Sequence, residues 1–154
     1  MKMLSSRKRL LLRTMQPDDL EFLFRIENDP RLRPYTTNTG YYSRKLLRDY
    51  IRCNHNDLYM DKQLRLMIEQ TEGKGDVVGI IDLFQYDDCQ REAELGIVID
   101  EPYRRQGYAS EAIETLTAHC FGQLAFRQLT VSVHADNTPA LNLFAKEGFV
   151  PQCT

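Results

Sequence analysis

The sequence lacks tryptophan, closely spaced cysteines and an excess of charge of either sign. Its cysteines lie more than thirty residues apart, so they have neither the paired spacing of a zinc site nor that of a small secreted disulfide framework. We expect them to be free thiols in a reducing cytoplasm. They are Cys53, Cys89, Cys120 and Cys153.

Long apolar runs are also missing. The run Leu10–Leu12 ends at Arg13, far short of a signal-peptide core, and no later stretch approaches the ~20 apolar residues of a membrane span. Twenty Lys and Arg against 22 Asp and Glu give a net charge of -2, which provides no general attraction to nucleic acid. These absences predict a cytoplasmic protein with neither a membrane nor a nucleic-acid partner.

The composition is that of an ordinary globular chain. Of its 154 residues, 42% are hydrophobic and 27% charged, and the length is sufficient to bury a core without disulfide or metal crosslinks. The sequence contains no internal repeat, linker or low-complexity stretch. We therefore expect one domain over residues 1–154.

The spacing of apolar and turn-forming residues predicts a mixed α/β chain. Three strands in the middle of the sequence are joined by short connections, which implies an antiparallel meander. The predicted elements are a strand at 10–14, helices starting at Pro17 and Ser43, strands at 63–70, 77–86 and 93–100, a helix at 109–121, a strand at 129–134 and a helix starting at Thr138.

Three of these elements carry a predicted apolar face. In the first strand, Leu10 and Leu12 alternate with Leu11 and Arg13, which indicates one covered side. Two helices have apolar residues at helical spacing that are expected to face the interior. These residues are Leu46, Leu47, Tyr50 and Ile51 in the helix after Ser43, and Ile113, Leu116, Cys120 and Phe121 in the helix at 109–121.

The junction after the third meander strand is typical of a phosphate site. A basic turn containing Gly107 leads into a helix, so several backbone N–H groups and the positive end of the helix dipole converge there. Arg104 and Arg105 add positive charge, and Gly107 permits close backbone approach. The turn is neither a Walker loop nor a dinucleotide fingerprint. On physical grounds alone, two solvated arginines beside a tight turn remain an equal alternative.

Two segments resemble the GCN5-related N-acetyltransferases, the GNAT superfamily. Residues 104–109 match the family's Q/R-x-x-G-x-G/A loop, and residues 137–149 resemble its N-x-x-A-x-x-L-Y/F-x-K-x-G-F segment. The resemblance extends over about residues 8–150, less specifically in the first 90. The N-terminal part and the meander entering Leu95 look like the branch that acetylates ribosomal-protein N-termini and polyamines.

The resemblance implies the GNAT acyl-CoA N-acyltransferase fold and acetyl-CoA as cosubstrate. In such proteins, backbone N–H groups of the loop, here Gln106, Gly107, Tyr108 and Ala109, hold the coenzyme A pyrophosphate. The preceding strand residues Ile97, Val98 and Ile99 would pair with the pantetheine arm. Asn137 would contact the same cofactor, although an ordinary helix cap explains an asparagine there equally well.

The implied reaction is direct attack of a neutral amine on the thioester in a ternary complex. Because a free alkylamine has a pKa near ~10.4, a base must accept its proton. Glu94 and Asp82 are the candidates, with exposed strand carboxylates as the alternative. Together with Glu92 they would attract a cationic acceptor. A small amine or polyamine is the favoured acceptor and a protein N-terminus the next.

Two departures from the family pattern favour a second hypothesis. Phe144 stands where many members have a tyrosine that protonates the departing thiolate, and Tyr103, Tyr108 or water remain open as substitutes. Few residues follow Phe149, so the sheet is expected to lack its last strand, and a homodimer would cover the open edge. The chain would then be a weak or inactive acetyl-CoA sensor or partner-binding module.

Histidine chemistry contributes little to the sequence-based hypotheses. His55, His119 and His134 have no metal-ligand spacing with cysteines or acids. His134, at the end of a predicted strand, would lie near the site, but strand-end histidines usually have no such role.

Overall fold

The computed structural model describes residues 3–5, 9–32 and 40–152, so Cys153 lies outside the described residues. Six strands form one sheet in the order of the sequence. All neighbours are antiparallel except the last pair, which is parallel. The expected mixed, mostly antiparallel sheet is therefore confirmed. The strands are β1 Met3–Ser5, β2 Leu10–Thr14, β3 Leu64–Gln70, β4 Val77–Asp87, β5 Glu92–Ile99 and β6 Gln128–Thr130.

Helices cover both faces of this sheet. The predicted cap at Ser43 is confirmed, since its side chain accepts a hydrogen bond from the Leu46 N–H. A four-residue helix capped by Asp57 was not predicted, because it is too short for a periodic pattern. The helices are α1 Leu20–Glu27, α2 Arg44–Cys53, α3 Leu58–Asp61, α4 Tyr108–Gly122 and α5 Thr138–Lys146, with single 3-10 turns at Pro17–Asp19 and Glu101–Tyr103.

The strand predicted at 129–134 is wrong beyond Thr130. β6 pairs with β5 over three residues only, and the chain then leaves the sheet before α5. The alternation of Leu129, Val131 and Val133 arises because these side chains pack against the core, not because the backbone is paired. Among the described residues after α5, none is in a strand.

Two apolar clusters lie on opposite faces of the sheet. The larger one packs α4 and α5 against Leu12, Ile68 and Ile81, and the smaller packs α1 and α2 against Met67 and Ile80. Alternate residues of each strand thus serve different cores. On the α4 face, Ile113, Leu116 and Cys120 are buried as predicted.

Two residues predicted to face the interior do not. Phe121 is 49% exposed and Leu46 is 50% exposed. Phe121 follows the buried Cys120, and Leu46 precedes the buried Leu47. Consecutive residues of a helix point about 100° apart, so the neighbour of a buried residue can face solvent. An apolar residue beside a buried one therefore makes the apolar face predicted from the sequence wider than the face that is buried.

Arg13 corrects the prediction for the first strand, because it is buried rather than on an open side. Its Nη1 and Nη2 donate to the two carboxylate oxygens of Asp19, each at 2.9 Å, and its Nε donates to Oε1 of Glu69 at 3.0 Å. Nη1 also donates to the carbonyl oxygen of Thr14. We call Arg13, Asp19 and Glu69 the buried network; it fastens the turn before α1 to the sheet.

The described cysteines are unpaired, as expected: Cys53 and Cys89 are exposed and Cys120 is buried. Burial raises the pKa of the Cys120 thiol to about 12, so it stays protonated in the core. Within the described residues, no helix has the length and apolar character needed to span a membrane.

Candidate active site

The site is a cleft that opens where β5 and β6 separate. The two strands pair from Glu92 to Glu94, and β5 then continues to Ile99 without a described partner on that side. The cleft has a volume of about 690 Å³. It runs from this open strand edge to the walls formed by α1 and α2.

Of the three β5 residues predicted to meet the pantetheine arm, Ile97 and Val98 line the cleft together with Gly96. Ile99 does not line it; this residue packs against the larger core. β5 therefore presents unpaired main-chain N–H and C=O groups to an extended ligand beyond Glu94, within the described part of the chain.

β4 and β5 approach each other closely near the end of β5. A Cβ atom on Gly79 would lie 2.3 Å from the carbonyl oxygen of Val98, so only glycine fits there. Directly beyond, the Asp100 N–H donates to the carbonyl oxygen of Val78 at 2.8 Å. The Asp100 carboxylate binds both Nη atoms of Arg25 at 2.7 and 2.8 Å, which ties the turn to α1.

The predicted phosphate loop follows β5 and is a turn with unpaired backbone N–H groups. Arg105 and Gly107 have positive φ values of 64° and 83°, and Gly107 is the N-cap of α4. Backbone N–H groups of residues 105–110 form no hydrogen bond to any described residue, and the first helical bond is Glu111 N–H to the Gly107 carbonyl. A Cβ on Gly107 would lie 3.2 Å from Nη2 of Arg9. This cradle suits an anionic group such as a pyrophosphate.

The side chains around the loop differ in whether they are bonded to the protein or exposed to solvent. Arg104 Nε donates to the carbonyl oxygen of Ile99, so this arginine is fastened to the end of β5. Arg105 and Gln106 are exposed. Asn137 is the N-cap of α5, where its Oδ1 accepts from the Ala140 N–H at 3.4 Å, and it does not line the cleft. Asn137 is thus a helix cap, and its contact with the cofactor stays a prediction.

Both predicted bases, Glu94 and Asp82, line the cleft, but their surroundings differ. Asp82 is not the exposed carboxylate of the alternative hypothesis: its side chain is 25% exposed and bound by Arg65. Burial raises the pKa of Asp82, and the Arg65 guanidinium opposes that rise. Glu94 is half-buried and forms no hydrogen bond or ion pair with the described residues. Glu94 is therefore the carboxylate that is open to a ligand.

Sequence reasoning missed several residues of the cleft wall. Glu27 and Asp29 supply carboxylates from α1 and the turn after it, whereas the predicted Glu92 does not line the cleft. Arg65 bridges Glu27 and Asp82 from β3, and we call these three residues the cleft network. From the sequence, Arg65 and Asp82 could be placed only on two consecutive strands. Whether they lie opposite each other depends on the strand register, which the sequence does not reveal.

The tyrosines proposed to replace Phe144 do not line the cleft. The Tyr103 hydroxyl donates to Asp76 at 3.3 Å, and the Tyr108 hydroxyl accepts from Gln70 Nε2 at 3.0 Å. Phe144 itself is buried in the core, with its ring edge-on to Phe149 at a centroid distance of 5.3 Å. The aromatic at this position therefore packs rather than faces a ligand.

Hydroxyl and imidazole groups do line the cleft elsewhere. Tyr42 and Tyr50 contribute phenols, and burial raises the pKa of Tyr50. Ser132 and His134 lie on the segment that diverges from β5. His134 thus lies at the site, as its position at the end of a predicted strand suggested, because the chain leaves the sheet at Thr130.

The family model for the acetyltransferase (GNAT) domain matches residues 9–150. The chain belongs to the GNAT acetyltransferase family. Acetyl-CoA is the acyl donor of this family, and the open β5 edge and the amide cradle are the features of this GNAT chain that suit it.

Relatives and solved structures agree with this membership. The chain is 28% identical over 151 residues to an uncharacterised N-acetyltransferase, p20, of Bacillus licheniformis, covering 93% of this chain and 83% of that protein. It is 23% identical over 143 residues to the spermidine N(1)-acetyltransferase of Vibrio cholerae, covering 93% and 80%. A crystal structure of spermidine N-acetyltransferase from Vibrio cholerae with CoA and spermine has a TM-score of 0.82 at 22% identity, covering 94% and 82%.

Proposed function

We propose that the chain transfers the acetyl group of acetyl-CoA to a primary amine, with cationic acceptors such as polyamines favoured. One observation carries the proposal: the unpaired edge of β5 and the unpaired carboxylate of Glu94 face the same cleft. The edge suits an extended pantetheine chain, and the carboxylate suits an entering ammonium group.

The donor would be held along β5 and at the start of α4. Main-chain groups at Ile97 and Val98 would pair with the pantetheine amides, and the open amides of Gln106 to Ala109 would bind the pyrophosphate. Arg105 is free to approach a phosphate, whereas Arg104 supports the loop by bonding Ile99. When bound, acetyl-CoA supplies the thioester carbonyl that the amine attacks.

Glu94 is the proposed base. An acceptor amine arrives as an ammonium ion at neutral pH and must lose a proton before it attacks. Glu94 would accept this proton directly or through water, since no other side chain competes for its oxygens among the described residues. Asp82 is less suited, because Arg65 occupies both of its carboxylate oxygens.

The charge of the cleft supports a cationic acceptor. Carboxylates of Glu27, Asp29, Asp82 and Glu94 line it, with Arg65 as the only Lys or Arg among the described lining residues. Such a field attracts cations and repels anionic acceptors. One relative and one solved structure reported above, both from Vibrio cholerae, are named as spermidine acetyltransferases, which agrees with the same chemistry.

The test is release of free thiol from acetyl-CoA in the presence of a panel of amines: spermidine, butylamine, an amino acid and a peptide with a free N-terminus. Sustained release with an amine is expected. Binding of acetyl-CoA by calorimetry, with ATP and NAD as controls, separates the alternative: tight binding without release by any amine would indicate a sensor. Gly107→Trp should abolish acetyl-CoA binding in either case, because its side chain would fill the cradle.

A further inference from the structure

Arg65 lies in the cleft but has no role in the proposed reaction. Its Nε and Nη2 donate to the two Asp82 oxygens at 3.0 and 3.2 Å, and its Nη1 donates to Oε1 of Glu27 at 2.5 Å. The side chains of the cleft network are 19–25% exposed. A cation is therefore held between two carboxylates in the wall of the acceptor cleft.

This arrangement decides which negative charges a ligand meets. Arg65 pairs with Glu27 and Asp82, and Arg31 pairs with Asp29. Glu94 has no ion-pair partner among the described residues. One guanidinium balances only one of its two carboxylates, so the cleft stays negative, but Glu94 is the lining carboxylate whose oxygens no described side chain occupies.

We propose that Arg65 sets the acceptor selectivity by occupying the place between Glu27 and Asp82 that a second ammonium group of the acceptor would otherwise take. The inference rests on the proposed function and concerns the same cleft. An ammonium would need the oxygens that the guanidinium already holds, and the planar fork of arginine binds carboxylates at several points, which resists displacement. A polyamine is therefore attracted by the negative cleft and by Glu94, but its second ammonium group does not reach the oxygens of Glu27 and Asp82 that Arg65 holds.

The test compares equilibrium binding of spermidine and butylamine by calorimetry at pH 8, which needs no acetyl transfer. Arg65→Met keeps the length of the side chain and removes the guanidinium from both carboxylates. We expect the ratio of spermidine to butylamine affinity to rise by about tenfold, because a new carboxylate–ammonium contact forms in the partly buried wall of the cleft. Arg65→Lys, which keeps the cation but not the planar fork, should raise the ratio less than Arg65→Met does.

Arg52→Met is the matched control, since Arg52 pairs with Asp49 on α2 and does not line the cleft. It makes the same change in net charge and should not alter the ratio. An unchanged ratio in Arg65→Met, or failure of spermidine to bind either protein, would overturn the inference. A merely structural role of Arg65 would weaken both amines equally.

A second variant guards against misfolding of Arg65→Met. Glu27→Gln leaves the guanidinium less neutralised, so it should lower spermidine affinity more than butylamine affinity. Equal loss for the two amines would contradict the proposal. Absence of thiol release by a wild-type protein that binds amines would instead contradict the proposed function, so the two failures are distinguishable.

Discussion

The buried network and the cleft network lie on the same face of the sheet and use the same device. In each, an arginine of one strand binds a carboxylate of the next strand and a second carboxylate from the segment that contains α1. Their surroundings differ: the Arg13 side chain is 7% exposed and the Arg65 side chain 22%, because only Arg65 opens onto the cleft. One arrangement of charges thus holds the fold together at one end of α1 and shapes a site at the other.

The difference teaches that pairing alone does not assign a role to a charged residue. Arg13 donates four hydrogen bonds from its five N–H groups, one of them to the Thr14 carbonyl, and it is buried under the turn before α1. Arg65 is paired as closely, but its neighbours are also the lining of a cavity. What each network does follows from what it is exposed to.

The largest expected effect comes from breaking the buried network. Arg13→Met should lower the free energy of unfolding by about 3–5 kcal/mol, because it leaves the buried Asp19 carboxylate without its guanidinium and Glu69 without its ion pair. Urea unfolding monitored by circular dichroism measures the change. Arg65→Met should cost less, about 1–3 kcal/mol, because water in the cleft reaches Glu27 and Asp82.

Replacing the whole buried network together, Arg13→Met with Asp19→Asn and Glu69→Gln, should recover part of the loss, since no unpaired charge then remains. Equal destabilisation by Arg13→Met and Arg65→Met would contradict the distinction drawn between the two networks.

The next largest effect concerns Glu94, the cleft carboxylate that Arg65 does not bind. Glu94→Gln should lower kcat by about 100-fold with little change in acetyl-CoA affinity, because the amide cannot accept a proton from the acceptor. Rates of thiol release against pH measure this. Glu92→Gln is the matched control, two residues earlier on the same face of β5 and outside the cleft lining; a similar loss there would argue against Glu94 as the base.

The smallest effect tests an ion pair whose arginine is more exposed than that of either network. Arg25 is 52% exposed and Asp100 is 9% exposed, and the Arg25 guanidinium lowers the pKa of Asp100 below its ordinary value of 3.8. The pair therefore contributes stability above about pH 4, and this contribution is lost as the pH falls through the lowered pKa.

Asp100→Asn should accordingly reduce stability at pH 7 by less than about 1 kcal/mol, since Arg25 is well solvated. The loss of stability on acidification below pH 4 should also become shallower than in the wild type. Urea unfolding of both proteins between pH 7 and pH 2.5 measures the difference, and parallel curves would show that Asp100 is not stabilised by Arg25.

Most of the fold was predictable because its elements are encoded locally. The meander at 63–100, the Ser43 cap and the helix after Gly107 each depend on residues a few positions apart, and all three predictions are confirmed. The errors have non-local causes. Leu46 and Phe121 are apolar neighbours of buried residues, and the segment after Thr130 leaves the sheet although its residues alternate.

The candidate site likewise has parts that the sequence predicted and parts that only the structure shows. The loop at residues 104–109 was identified from the sequence, because consecutive residues form the turn, the positive φ at Gly107 and the helix start. Glu94 and Asp82 were proposed from their strands, but only the structure shows that Arg65 occupies one of them and leaves the other open.

The sequence by itself determined the family, the order of the longer elements and the turn before α4, because each is carried by residues close together in the chain; the short β1 and α3 were not predicted. The tertiary structure alone decided which charges meet: Arg65 with Glu27 across 38 positions, and Arg13 with Glu69 across 56. Strand register and the docking of α1 set those contacts, and no local pattern encodes either one.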